Sequence, residues 1–423
     1  MYRDVWFDKP PASPYLYLLW GAHVGWPLRV AGALYVWCCC LMAWRFAHDM
    51  WSEREGIAAA LLLGFFLTFG IPSAVMALAP DLLMVLPHLA AIYFAWRRQP
   101  LLSGLLAGAA VLINPKGVYV FAAGFLWLRF RDMAKYAVAF LAPNIAAFAW
   151  FGRPYVQQVW EWGIMYAAHT FVDNPVREGL LRTGDWLGFQ AALVVGAGWW
   201  LWRQRDSESL RAAGWALVML LSVTSGWRFF PRYYFALLPP LVMMAAHGYV
   251  LMGRRRAMLL VLLAIPLARF GPRYLELASD FAHHRPHRWR DVAMMQDSAA
   301  ASGILQADAH GSGTLLVWGY RPDIFAYTRM EAGTRFLDSQ PLTGVIADRH
   351  LVNSEPLAAE WAMQNRAELA HTRPTYIVDG LGPYNPDLAI TNYPDLRSWL
   401  GEYREMARTE HCIIYKQRSE APR

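Results

Sequence analysis

Five cations and three carboxylates are the residues of this 423-residue sequence best placed to do chemistry: Arg3, Lys9, Lys116, Arg228 and Arg232, with Asp4, Asp8 and Asp81. Each lies in a loop or at the end of an apolar run. On the topology derived below all of them face the outer side of a membrane, where Lys and Arg are disfavoured. Two readings account for the cations. Long side chains can snorkel singly to lipid headgroups, or the group can line a pocket for an anionic lipid headgroup. Five cations beside acidic residues and aromatics such as Trp6, Phe7, Phe230 and Tyr233 favour the pocket. Pro10 and Pro11 fix the backbone after Lys9 and hold Asp8 and Lys9 at a loop-to-membrane corner.

The elements that must position these residues are apolar. The chain is 56% hydrophobic and 17% charged, with mean hydropathy +0.21, whereas soluble domains carry about 25% charged residues. Ten candidate spans follow: 28–47, 57–79, 82–96, 101–113, 117–128, 136–151, 186–202, 212–226, 233–252 and 257–270. Several are shorter than the roughly 17 residues of a perpendicular helix, which calls for bilayer thinning or cavity-lining ends. After Gly271 the apolar runs stop. The expected fold is therefore a mainly α polytopic membrane bundle, residues 1–271, followed by a small soluble α/β domain, residues 272–423.

Charge sets the orientation. Residues 1–271 carry net +10 and residues 272–423 net −3, so the basic balance belongs to the membrane part and gives no argument for nucleic acid. Arg97 and Arg98, then Arg129, Arg131 and Lys135, then Arg203, Arg205 and Arg211, then Arg254, Arg255 and Arg256 fall in alternate loops. That side is the cytoplasm by the positive-inside rule. The pattern requires 101–113 and 117–128 to be separate spans around Asn114-Pro115-Lys116. Outside lie residues 1–26, a loop at 152–185 with Trp160, Trp162 and Tyr166 suited to an interfacial helix, and the soluble domain. The expected setting is a bacterial inner membrane, with the site and soluble domain facing the periplasm or exterior. In that domain Thr314–Trp318, Thr375–Val378 and Cys412–Tyr415 read as strands, and 289–305, 356–370 and 395–407 as helices.

Tyr2-Arg3-Asp4, then Asp8-Lys9-Pro10-Pro11 and a helix opened by Leu28-Arg29, resembles the first outer loop of the polytopic GT-C glycosyltransferases. The resemblance is to bacterial relatives of the dolichyl-phosphate-mannose protein mannosyltransferases and of the lipid A aminoarabinose transferase. Ala79-Pro80-Asp81-Leu82-Leu83-Met84 with Pro87 resembles the family's acidic residue opening a span from outside. Gly104 and Gly108 before Asn114-Pro115-Lys116-Gly117 resemble its glycine-bearing helix ending in a Lys-containing turn. Arg228-Phe229-Phe230-Pro231-Arg232-Tyr233-Tyr234 before Leu238-Pro239-Pro240 resembles its aromatic outer motif, with Arg232 where many members have His.

The resemblance implies transfer of a hexosyl or pentosyl group from a polyprenyl-phosphate donor to a hydroxyl of a glycan, lipid or protein acceptor at the outer face. Negative charge then builds on the leaving phosphate, where fixed cations lower the barrier. Lys9, Arg228, Arg232 and Lys116 are the implied phosphate ligands, and Arg3, Asp81 and Tyr233 complete the pocket. Asp8, and after it Asp4, are the carboxylates present for catalysis. The family's base lies upstream of the Lys-Pro-Pro motif near the end of a first membrane helix, so the resemblance implies a helix and a base preceding Met1. No metal or other cofactor is implied. A non-catalytic lipid-carrier-binding relative and a polytopic transporter are the rival readings. Against transport, the charges gather at outer span ends rather than at the midplane. His283, His284 and His287 sit among arginines and read as a polar linker, and Asp379 reads as a turn residue.

Overall fold

The computed structural model describes residues 1–70, 78–169, 173–285, 290–319, 321–345 and 354–418. Each of the ten apolar runs corresponds to a helix: α1 Trp26–Met50, α2 Glu53–Phe69, α3 Val85–Trp96, α4 Pro100–Ile113, α5 Gly117–Gly124, α6 Met133–Tyr155, α7 Ala191–Arg203, α8 Ser207–Thr224, α9 Leu238–Met252 and α10 Arg256–Ala282. Three continuous helical stretches, Trp26–Met50, Phe130–Ala168 and Pro231–Ala282, are long and apolar enough by themselves to cross a membrane. The others are shorter and hold their place by packing. α4 and α5 are separate helices, as the charge pattern requires.

Small residues set the closest approach in the bundle. Gly104 and Gly108 form a Gly-x-x-x-Gly face on α4, the spacing that lets membrane helices touch backbone to backbone. A methyl group at Gly104 would lie 2.3 Å from the Tyr136 carbonyl oxygen of α6. At Gly117 it would lie 2.3 Å from the Val111 amide nitrogen, so the turn between α4 and α5 closes only with glycine there.

The two ends of the bundle differ. At the basic end Asp49 accepts from the Tyr93 hydroxyl at 2.7 Å and pairs with Arg45 at 3.1 Å and Arg97 at 3.3 Å. Arg98 donates to the Trp127 carbonyl at 2.6 Å. At the opposite end the N-terminal segment, the 152–169 segment and the soluble domain share one apolar core. Trp6 and Trp162 meet edge to face at 5.3 Å and are buried with Leu316, Trp318, Phe336 and Ile377. Trp6 also donates its backbone N–H to the Arg335 carbonyl at 2.7 Å. The three pieces assigned to the outer side therefore lie on one side. Trp162 does not lie in a membrane interface as its aromatic neighbours suggested; it plugs the soluble domain, 2% exposed.

α10 runs without a break through Gly271 and Pro272 to Ala282, so the change from apolar run to soluble domain falls inside one helix. The domain carries α11 Arg290–Ala309, α12 Ala359–Leu369 and strands β1 Thr314–Trp318, β2 Glu331–Ala332, β3 Tyr376–Asp379, β4 Tyr403–Arg408 and β5 Ile413–Gln417. They form one sheet in the order β2-β1-β3-β5-β4. β1 is parallel to β2 and β3, while β5 is antiparallel to β3 and β4.

The helix expected over 395–407 is not formed as such. A single turn, Arg397–Leu400, ends at Gly401, and Tyr403 onward is the edge strand β4. The exposed edge carries Arg404, Glu405 and Arg408, charges that protect an edge strand from pairing with another chain, and their spacing imitates a helical polar face. Asp379, read as a turn residue after a strand, is the last residue of β3, and its carboxylate shapes the turn that follows, accepting from the amides of Leu381, Gly382 and Ile390 at 3.0, 2.8 and 3.1 Å. His287 lies outside the described residues; among those described, no group of three or more His, Cys, Asp or Glu side chains could hold a metal ion.

Candidate functional site

Four chain segments converge at the end of the bundle opposite Arg97 and Arg98. Asp81 stands in the first turn of the short helix Pro80–Leu83, which Pro80 opens and which breaks before α3. Asn114 caps the C-terminal end of α4 in an extended conformation. Its side chain accepts from the Lys116 amide at 3.1 Å and donates to Asp81 Oδ1 at 3.2 Å. One asparagine thus shapes the turn that presents Lys116 and ties it to the acidic residue 33 positions earlier.

The third segment follows α8. Gly226, Trp227 and Phe229 all have positive φ, 81°, 51° and 50°, a conformation that costs non-glycine residues about 1–3 kcal/mol and clusters at functional sites. The tight path turns Arg228 inward and Arg232 outward. Arg228 is 2% exposed. Its guanidinium stacks on the Tyr166 ring with the carbon 3.4 Å from the centroid. It also donates to the carbonyls of Tyr166 and His169, the latter at 2.7 Å. Arg232 stays half-exposed, its Nε 3.7 Å from Asp81 Oδ2. Tyr233, next along a 3-10 turn, is buried.

The fourth segment is the helical stretch after Gly152, whose φ of 65° and ψ of −153° kink the chain. It brings Tyr166 against Arg228 and Tyr233.

Lys116 sits in the middle. Its ammonium lies 3.2 Å from the centroid of the Tyr233 ring. The nitrogen is enclosed although the stem of the side chain is partly exposed, and it has no hydrogen-bond partner among the described residues. Burial pushes the Lys116 amine down to about 8; Asp81 opposes that shift, and Arg232 and Arg228 add to it. Three cations face one carboxylate here, an excess of positive charge suited to an anion.

The N-terminal candidates form a second group. Tyr2 is fully buried between Phe151 and Tyr155, at ring separations of 5.1 Å each, and donates from its hydroxyl to the Lys9 carbonyl at 2.7 Å. Gln158 fastens the segment, donating to the Tyr2 carbonyl at 2.7 Å and accepting from the Phe7 amide at 2.8 Å. Asp8 and Lys9 pair with each other. Arg3 is exposed, and Asp4, 88% exposed, lies 3.8 Å from the chain's amino group. The structure therefore joins Asp81, Lys116, Arg228, Arg232 and Tyr233 in one cluster, joins Asp8 to Lys9, and leaves Arg3 and Asp4 facing outward.

Sequence reasoning passed over Asn114, Tyr166 and Gln158 as site residues. Asn before Pro-Lys-Gly was the available signal for the first, since asparagine side chains habitually bond the backbone two residues on. Nothing in the sequence marks Tyr166 or Gln158 as partners of residues 62 and 156 positions away.

No protein-family model matches the sequence, and no curated protein matches it. Among solved structures, ArnT from Cupriavidus metallidurans bound to undecaprenyl phosphate matches with a TM-score of 0.59 and 14% identity, over 100% of this chain and 90% of that one. The same protein in the apo state gives 0.58 and 14%, over 98% and 88%. The archaeal oligosaccharyltransferase AglB from Archaeoglobus fulgidus, in complex with an inhibitory peptide and a dolichol-phosphate, gives 0.46 and 12%, over 98% and 67%, a score too low to extend the assignment. The chain has the GT-C fold: a polytopic membrane helix bundle carrying a small sheet domain.

Proposed function

We propose that this GT-C-fold chain is a membrane glycosyltransferase that moves a sugar from a polyprenyl-phosphate donor to an acceptor hydroxyl at the outer membrane face. The observation that carries the reading is the enclosed Lys116 ammonium, without a hydrogen-bond acceptor among the described residues and flanked by Arg228, Arg232 and a single carboxylate. An ammonium has three protons to donate, and a phosphate oxygen supplies the acceptor this one lacks. The solved structure with undecaprenyl phosphate supports a lipid-phosphate ligand for the fold.

In the reaction the acceptor oxygen attacks the anomeric carbon, and the bond from that carbon to the phosphate oxygen breaks. The phosphate departs with the electron pair, and the acceptor's proton passes to a carboxylate. Lys116 and Arg232 hold the departing phosphate oxygens, with Lys9 the third ligand. Cations fixed beforehand are worth more here than in water, because they need no reorganisation as charge develops. Arg228, bonded to two carbonyls and stacked on Tyr166, adds positive potential and fixes the aromatic wall. Asp8, paired with Lys9, is the proposed proton acceptor, or it orients Lys9 toward the phosphate; Asp4, four positions earlier and exposed, is the alternative.

The test is incubation of purified full-length chain with polyprenyl-phosphate sugars of several kinds and a membrane extract as acceptor source. Acceptor-dependent release of free polyprenyl phosphate is expected from at least one donor. Tight donor binding without release identifies a lipid-carrier-binding protein instead, and no binding rejects both.

A further inference from the structure

Among the described residues Lys116 carries an enclosed nitrogen whose surroundings are incomplete. Its nitrogen is enclosed, faces the Tyr233 ring at 3.2 Å and has no hydrogen-bond partner among the described residues. Among the described residues the carboxylate facing it is Asp81 from the helix Pro80–Leu83, already engaged by Asn114 at 3.2 Å and Arg232 at 3.7 Å. The other groups that face it are Arg228, Arg232 and Tyr233 from the loop after α8, and Tyr166 lies behind Tyr233. The two guanidinium groups keep their charge at every accessible pH. A charged Lys116 in the empty site therefore meets two like charges, one preoccupied carboxylate and a ring face. An unpaired buried charge of this kind is relieved by losing its proton.

We propose that the anionic donor binds together with a proton, taken up by Lys116 as the lipid phosphate enters, so that pH on the outer side sets donor affinity. The inference rests on the phosphate site proposed above and adds its regulation. The arriving phosphate oxygen supplies the acceptor that the ammonium lacks, and its negative charge offsets the repulsion from Arg228 and Arg232. Binding therefore favours the protonated amine, and by linkage a proton must enter from solvent wherever the empty site is partly neutral. With the empty-site amine at about 8, about half a proton is taken up at pH 8. The charged fraction falls roughly tenfold between pH 7 and pH 9, and affinity falls with it.

The probe is a prenyl methyl phosphodiester, whose single charge is constant over this range. Calorimetric titration of the full chain in nanodiscs, in buffers of different ionisation enthalpy, reads the protons exchanged. The expected result is uptake of about half a proton at pH 8 and a Kd about tenfold weaker at pH 9 than at pH 7. Lys116→Arg, which keeps its charge, is expected to bind with no uptake and a flat profile; Lys116→Gln is expected to bind weakly, also without uptake. Binding of the unaltered chain with no proton uptake, or an unchanged profile in both variants, overturns the inference while the phosphate site stands. Failure of the probe to bind at any pH removes the phosphate site and the inference together.

Discussion

Replacing Gly104 by alanine puts a methyl group 2.3 Å from the Tyr136 carbonyl oxygen, 2.8 Å from Ala139 Cβ and 3.0 Å from the Phe140 nitrogen. Two of those atoms are backbone of α6, and no rotamer change relieves them. α4 has to retreat by about 1 Å to restore ordinary contact, and overpacking of that kind costs about 1–3 kcal/mol. Alanine's better helix propensity returns up to about 1 kcal/mol. The functional effect is larger, because α4 ends at Ile113 and carries Asn114 and Lys116 with it. A shift of about 1 Å in a group that positions reactants costs roughly 10²-fold in rate. The control is Gly198→Ala on α7, where an added methyl meets nothing within 4 Å. Thermal unfolding in detergent and donor turnover are measured on both variants. Gly104→Ala should melt lower and turn over about a hundredfold more slowly, with Gly198→Ala unchanged or slightly stabilised. Equal behaviour of the two refutes the claim that close approach of α4 and α6 holds the Lys116 turn in place.

Lys9→Ala and Arg232→Ala should each lower turnover by about one to three orders of magnitude, the range for removing a fixed stabiliser of developing charge, with protein level unchanged; full activity in both returns these residues to headgroup snorkelling. Alkaline phosphatase fused after Arg423 should be active if the basic loops face the cytoplasm as the positive-inside rule expects, and activity only from a cytoplasmic reporter overturns that orientation. In the soluble domain, Arg321 pairs with Asp297 at 2.8 Å, both side chains buried. Burial alone raises Asp297, but hydrogen bonds from Thr409 and Arg321 and the charge of Arg321 outweigh it and hold the carboxyl below its usual range. That stabilisation is complete above the ordinary carboxylate pKa near 4 and is lost as pH falls through the depressed folded value. Arg321→Met strands the carboxylate and should cost about 3–5 kcal/mol at pH 7. Hydrogen exchange of β1 and β5 measures it, and unchanged protection contradicts the pairing.

The membrane bundle was legible because lipid demands one thing of a span, a long apolar run. The division at Asn114-Pro115-Lys116 was read from two apolar runs and supported by the alternating basic loops, and the structure shows its mechanical basis in the Asn114 cap and the Gly117 turn. Strands β1, β3 and β5 were legible as buried apolar runs. β4 was not: an edge strand buries little, and Arg404, Glu405 and Arg408 fit a helical polar face equally well. Asp81, Lys116, Arg228 and Arg232 were each visible as candidates, since charge at a span end is costly, and Tyr233 was visible through the aromatic motif it shares with Arg228 and Arg232. Their convergence was not visible, because it depends on how four segments pack. Trp162 shows the same limit: an aromatic residue in an outer loop suits a membrane interface, and only tertiary structure puts it in the core of a domain that begins more than a hundred residues later.

The central claim, that the Lys116 and Arg232 cluster holds the phosphate of a lipid-linked donor, is tested most directly by an experimental structure of the chain in nanodiscs with polyprenyl phosphate. Phosphate density is expected within hydrogen-bonding distance of Lys116 Nζ and the Arg232 guanidinium, with the prenyl chain leaving toward the bilayer. Phosphate density at the basic end beside Arg97 and Arg98, with none at Lys116, would rule the phosphate site out.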